Sequence, residues 1–223
     1  MPLMETGRDI MLCLHRLFDQ AQIPSIGNEG LCFRLAVKWA ALVLADEHPG
    51  NRGFLNIPYW TPPRLEKAKK RQAEYAGMSK ITSVGPINAQ QQMARYWIEA
   101  ALRKRQREAL VETSIVDFDT KQFKDFCKSD GTGDVAGWAQ QSLQDGWHAL
   151  LLSSGNHTVA VARQRVTGTI YGFDPNFGVV SAEKSDEQIH MFLEDFLKLL
   201  EQRELPLAVS WLILVSVKQS VSH

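Results

Sequence analysis

The sequence predicts an α+β fold, with helices in the front half and an antiparallel sheet in the back half. Two observations carry this. To about residue 110, apolar residues recur mostly at helical spacing; from Trp147 onward they fall in short apolar or β-branched runs divided by Gly and Asn turn signals. A third is the segment from Leu31 to Glu47, rich in Ala, Leu, Val and Trp with few charges, which reads as a buried central helix. The 223 residues are long enough to bury a sizeable core and are read as one domain, 1–223.

The elements follow in order. Residues 8–21 place Ile10, Leu14, Leu17 and Phe18 on one stripe of a first helix, with Cys13 in its packing. Pro24 and Gly27 end that helix and open the loop Ser25 to Gly30, after which the apolar helix begins near Leu31. Proline and glycine dominate from Pro49 to Pro63, a surface excursion. Helices are expected over 64–76 and 88–110, separated by Gly85-Pro86, with Asn88 as N-cap of the second. Cys127 closes a short helix, and the Gly-rich stretch Ser129 to Gly137 is a loop. Strands are expected over 147–152, 157–163, 169–173 and 208–217, with one more helix over 186–202.

Charge and cysteine usage narrow the function classes. Twenty-five basic residues balance 25 acidic ones, so no nucleic-acid partner is called for. Basic runs at Arg64 to Arg71 and Arg103 to Arg107 are solvated helix surface, or a patch for an anionic membrane or acidic partner. Three cysteines cannot all pair within the chain, and they form neither a CxxC pair nor a zinc-ribbon pattern. A free thiol needs a reducing place of action such as a cytoplasm. Ile10 to Leu14 is too short for a secretory signal, and no apolar run reaches the length of a membrane span. Gly131-Thr132-Gly133 lacks the lysine and strand context of a phosphate-binding loop, so no cofactor is expected. Nor is a metal, since Cys32, His157 and Asp174 include no closely spaced ligand pair.

Those three residues do suit nucleophilic catalysis. Cys32 falls in the first turn of the apolar helix, directly after a glycine-containing loop. Unpaired N–H groups and the positive end of the helix dipole favour an anion there. Taken alone it is a small core residue, and only its partners change that reading. His157 follows the turn Ser153 to Asn156 and starts a strand that is apolar on both faces, so it is held yet sits at a rim. Asp174 ends the next strand, where the Asp174-Pro175-Asn176 turn brings its carboxylate back towards the imidazole.

Gly30-Leu31-Cys32-Phe33-Arg34-Leu35-Ala36-Val37-Lys38-Trp39, then Asn156 to Val161, then Phe173-Asp174-Pro175-Asn176-Phe177-Gly178 together resemble the YopT/AvrPphB family of papain-like cysteine proteases, effectors of bacterial pathogens and symbionts. The separations of 125 and 17 residues suit that family, and the likeness spans roughly residues 25–180. The resemblance implies a papain-like fold, Cys32 as nucleophile, His157 as general base and acid, and Asp174 as its orienter. It also implies a protein substrate, and delivery by a bacterial secretion system without a classical signal peptide into a target-cell cytoplasm. An immunity protein or chaperone is a further partner it suggests. Only 31 residues precede Cys32, and Met1-Pro2-Leu3 has no initial glycine for acylation, so the chain departs from members with a long processed leader.

On this reading an oxyanion would be held by the Cys32 N–H and by a polar side chain upstream, Asn28 first and Gln22 second. Tyr59 and Trp60 in the Pro-rich loop, and Trp138 near the sheet, are the substrate-binding candidates. Trp39, seven residues after Cys32, is core or substrate wall. The same trio serves deamidases, transglutaminases and amidases, or stands idle in a binding module; fold alone does not choose.

Overall fold

The computed structural model describes residues 12–17, 31–45, 61–81, 86–104, 109–117, 135–144, 147–153, 157–164, 167–182, 189–202, 209 and 211–219. Within them lie seven strands: β1 (Leu12–Leu17), β2 (Ala109–Asp117), β3 (Ala149–Ser153), β4 (Thr158–Arg163), β5 (Ile170–Asp174), β6 (Gly178–Ala182) and β7 (Trp211–Gln219). The helices are α1 (Cys32–Leu44), α2 (Pro62–Ile81), α3 (Pro86–Lys104), α4 (Val135–Gln144) and α5 (Ile189–Gln202). The strands form one sheet in the order β1-β6-β5-β4-β3-β7-β2, with every neighbouring pair antiparallel.

The predicted α+β class holds, with helices packed on an antiparallel sheet. On one face α1 lies along β4 and touches β3 and β5, α3 lies on β2 and β7, and α2 packs on α1 and α3. The other face carries α4 and α5, a second helical layer the sequence reading did not assign as such. Strand alternation feeds both layers. Ala160, Ala162, Leu151 and Phe173 join the α1 cluster, while Val159, Val161, Leu152 and Val180 join the α5 cluster. The central strands are therefore buried on both faces, which is why their sequences read as near-continuous apolar runs.

Helix α1 is apolar nearly all round because it is covered nearly all round: of its residues, only Arg34 and Lys38 escape full burial. Small residues on both sides, Ala36 and Ala40 on the helix and Ala160 and Ala162 on the sheet, belong to one cluster and let helix and strand lie close. Trp39 is fully buried and stacks on Phe173 of β5, with centroids 5.4 Å apart, so it is core and not a substrate wall. On the opposite face Gly172 leaves room for Phe196 of α5; a Cβ there would meet the ring at 3.0 Å.

Several expectations are corrected. The first helix, 8–21, is in its described part the edge strand β1, paired with β6; Cys13 lies opposite Ser181 in that ladder. A register shift between Leu14 and Arg16 breaks the strict alternation, and the broken pattern mimics helical spacing. The helix over 88–110 ends at Lys104, and 109–117 is strand β2, half-exposed at the other edge. Asn88 is no cap: α3 starts at Pro86, leaving Asn88 inside its first turn. β6 begins straight after the Pro175 turn, too short and too close to β5 to announce itself. Val135 to Gly137 belong to α4, not to the glycine-rich loop. The apolar helix (Cys32–Leu44), α2, α5 and the four predicted strands appear close to their expected bounds. Of the predicted excursion from Pro49 to Pro63, Pro62 and Pro63 open α2 instead, while residues 49–60, like Cys127, lie outside the described residues.

Candidate active site

Cys32 is the first residue of α1. Its helix opens on Leu31 with φ −96° and ψ 15°, an N-cap residue that supplies no side-chain cap, and no acidic residue stands in the first turn. Cys32 therefore stands at the positive end of the helix dipole. The cysteine is buried but not sealed, at 8% exposure.

His157 immediately precedes β4. Because α1 lies along β4, the helix start and the strand start are brought together, and Cys32 hydrogen-bonds the imidazole. Its other partner is Asp174, whose Oδ2 lies 2.7 Å from His157 Nε2. Nε2 being engaged, Nδ1 is the ring nitrogen left to face the sulfur. The Nε2–H donates to the carboxylate, so Nδ1 is the nitrogen that gains or loses the ring's exchangeable proton.

Asp174 is held by its own turn. It occupies the first position of a β-turn in which Phe177 N–H donates to the Asp174 carbonyl at 3.1 Å, with Pro175 in the second position. The Asp174 side chain accepts the Asn176 N–H through Oδ1 at 2.6 Å, the hydrogen bond that makes Asp favoured there. Gly178, with φ 127°, then restarts the chain as β6 opposite Asp174. One carboxylate oxygen is spent on the turn and the other on His157, and the whole group is inaccessible to water.

These contacts reset the imidazole. Burial alone would lower the His157 pKa, but hydrogen bonds to Asp174 and Cys32, together with their charges, outweigh it and raise it from 6.5 to about 10. At neutral pH the ring is therefore an imidazolium wedged between a carboxylate and the sulfur. Beside it, Ser153 and Thr158 share a buried hydrogen bond of 3.0 Å across the hairpin that presents His157. Neither residue stood out in the sequence, because a hydroxyl pair across a hairpin appears only once the strand register is known.

The three expected residues are thus brought into one hydrogen-bonded chain. Asn28, Gln22, Tyr59 and Trp60 lie outside the described residues. Trp138 sits on α4, in the layer opposite α1. Among the described residues no cluster of three or more His, Cys, Asp or Glu side chains is placed to hold a metal, and no helix is long and apolar enough to cross a membrane.

Known proteins share the family and the fold. Curated protein sequences contain no match to the chain. Among solved structures, the crystal structure of the Pseudomonas avirulence protein AvrPphB superposes with a TM-score of 0.51 at 14% identity, over 85% of this chain and 92% of that one, which establishes a shared fold. The profile of the cysteine-peptidase family Peptidase_C58, described as Yersinia/Haemophilus virulence surface antigen, matches residues 14–208, and the chain belongs to that family.

Proposed function

We propose that the protein is a cysteine endopeptidase that cleaves a target protein with Cys32, His157 and Asp174, and that it acts as a bacterial effector or toxin inside a target cell. One observation supports this above the others: a single imidazole is hydrogen-bonded by the first residue of a buried helix on one side and by a fully buried carboxylate on the other. A structural histidine has no need of a cysteine at a helix start.

In the proposed cycle the Cys32 sulfur, paired with the His157 imidazolium, attacks an amide carbonyl, and the carbonyl π pair moves onto oxygen. The helix-start N–H groups stabilise that oxyanion. As the tetrahedral adduct collapses, the C–N bond breaks and His157 Nδ1–H protonates the departing amine. Neutral His157 then takes a proton from water, which attacks the thioester and releases the carboxylic acid. Asp174 holds the ring in one tautomer through both halves. A pKa near 10 suits the acid role, since the ring stays protonated until the amine leaves.

The test is terminus enrichment on a host proteome treated with wild type or Cys32→Ala. New peptide N-termini that vanish with Cys32→Ala are expected. Ammonia release or amine incorporation without new termini would instead assign deamidase or transglutaminase chemistry, and the absence of any Cys32-dependent product would leave a binding module.

A further inference from the structure

We propose that Trp211, braced by Gln90, forms an apolar substrate subsite beside Cys32, taking an aliphatic or aromatic side chain two or three residues from the scissile bond. This rests on the peptidase reading above. Trp211 opens β7, and Ser153 of β3 is paired with Thr158 on one side and Trp211 on the other. Trp211 is therefore two strands from the residue that follows His157, or about 10 Å at the usual interstrand spacing. An extended peptide covers that distance in about three residues.

Orientation follows from alternation. Ile213, Val215 and Val217 of β7 all enter the α1-side cluster, so Trp211, two residues earlier, stands on the same side of the sheet as the helix that carries Cys32. Between them Ser153 and Thr158 are buried and bonded to each other.

Trp211 itself is partly exposed, whereas Leu212 to Val217 behind it are buried. Its indole N–H donates to Gln90 Oε1 at 2.9 Å, and Gln90, in the second turn of α3, is buried. That bond removes the polar handle of the indole and fixes its plane. What remains to be offered is an immobilised apolar ring, which binds an apolar side chain with little ordering cost.

The experiment digests a proteome-derived peptide library with wild type, Trp211→Ala, Trp211→Phe and Gln90→Leu, reading residue frequencies on both sides of each cut. Alkylation of Cys32 by iodoacetamide serves as the control for an intact site. Wild type is expected to enrich aliphatic or aromatic residues at one position within three of the cut. Trp211→Ala should erase that enrichment and lower kcat/KM on the best peptide at least tenfold, mainly through KM. Trp211→Phe should keep the preference, and Gln90→Leu should weaken it at least threefold even where Trp211→Ala fails to fold. A profile unchanged by Trp211→Ala and Gln90→Leu, or one selecting Lys, Arg, Asp or Glu at every position, overturns the subsite while leaving the peptidase intact. Failure of wild type to cut any peptide overturns the peptidase reading, and the subsite falls with it.

Discussion

Replacing Asp174 with Asn tests the site at its most constrained point. Asn176 N–H already donates to Oδ1 of residue 174 at 2.6 Å, and that demand persists in Asp174→Asn. The new amide must keep its oxygen on the turn, which directs its NH2 at His157 Nε2, where Oδ2 stood at 2.7 Å. An NH2 group cannot accept, so Nε2 must become the acceptor and the proton moves to Nδ1. The neutral ring then faces the sulfur with N–H and has no lone pair to take a proton. Catalysis that depends on this tautomer should fall about 10³- to 10⁴-fold in kcat. The turn hydrogen bond survives, so the stability loss should be confined to what the carboxylate contributes through His157 and should shrink as pH rises towards 10. An alkaline limb of Cys32 alkylation is expected where the His157 imidazolium is lost, at about pH 10 in wild type, and should move lower as the carboxylate's contribution disappears. The assay pairs turnover on a cleaved peptide with iodoacetamide rates from pH 5 to 11. A kcat within twofold of wild type, with the alkaline limb in place, would refute the assignment of Asp174 as the group that orients His157.

Three further outcomes are expected. Since the folded-state pKa of His157 lies above its unfolded value, its contribution to stability is complete below pH 6.5 and is lost as pH rises through about 10; urea unfolding across that window should show a decline, of order 5 kcal/mol at most from this group. Thr158→Val leaves the fully buried Ser153 hydroxyl without its partner and should cost about 1–3 kcal/mol, whereas the double variant Ser153→Ala/Thr158→Val should cost less than the sum of the two single changes; strict additivity in chemical denaturation would contradict this. Gly172→Ala drives a methyl to 3.0 Å from the Phe196 ring and should destabilise by about 1–3 kcal/mol, with Phe196→Leu restoring part of the loss; an unchanged Tm would show that α5 shifts freely.

The helix of Cys32 and the strands of His157 and Asp174 were legible because each carries a strong local signal: an apolar run after a glycine loop, a Gly-Asn turn before a β-branched run, and an Asp-Pro turn. Edges were not. β1 and β2 are the two edge strands and owe their conformation to pairing with β6 and β7, a long-range effect that window-based periodicity does not contain. The buried hydroxyl pair and the Gln90–Trp211 bond were illegible for a related reason. The latter joins residues 121 positions apart, and only the packing of α3 on β7 brings them together. Asp174 shows the converse case: the same Asp-Pro-Asn sequence that marks an ordinary turn is what locks one carboxylate oxygen, so the structural and functional explanations of the residue coincide.

That coincidence extends to the packing beneath the site. Trp39 sits two turns down the helix from Cys32, and its partner Phe173 directly precedes Asp174. The stack therefore joins the helix that places the sulfur to the strand that places the carboxylate, below the imidazole both must reach. Ala160, opposite Phe173 in the ladder, lies two residues beyond Thr158 on the strand that presents His157. The elements that carry Cys32, His157 and Asp174 thus meet in one patch of core, where a shift of any one is resisted by close-packed neighbours. Hydrogen bonds set the direction of the side chains, but this aromatic contact sets their spacing. A cavity under Trp39 should thus loosen the geometry without removing any residue that touches the reacting atoms.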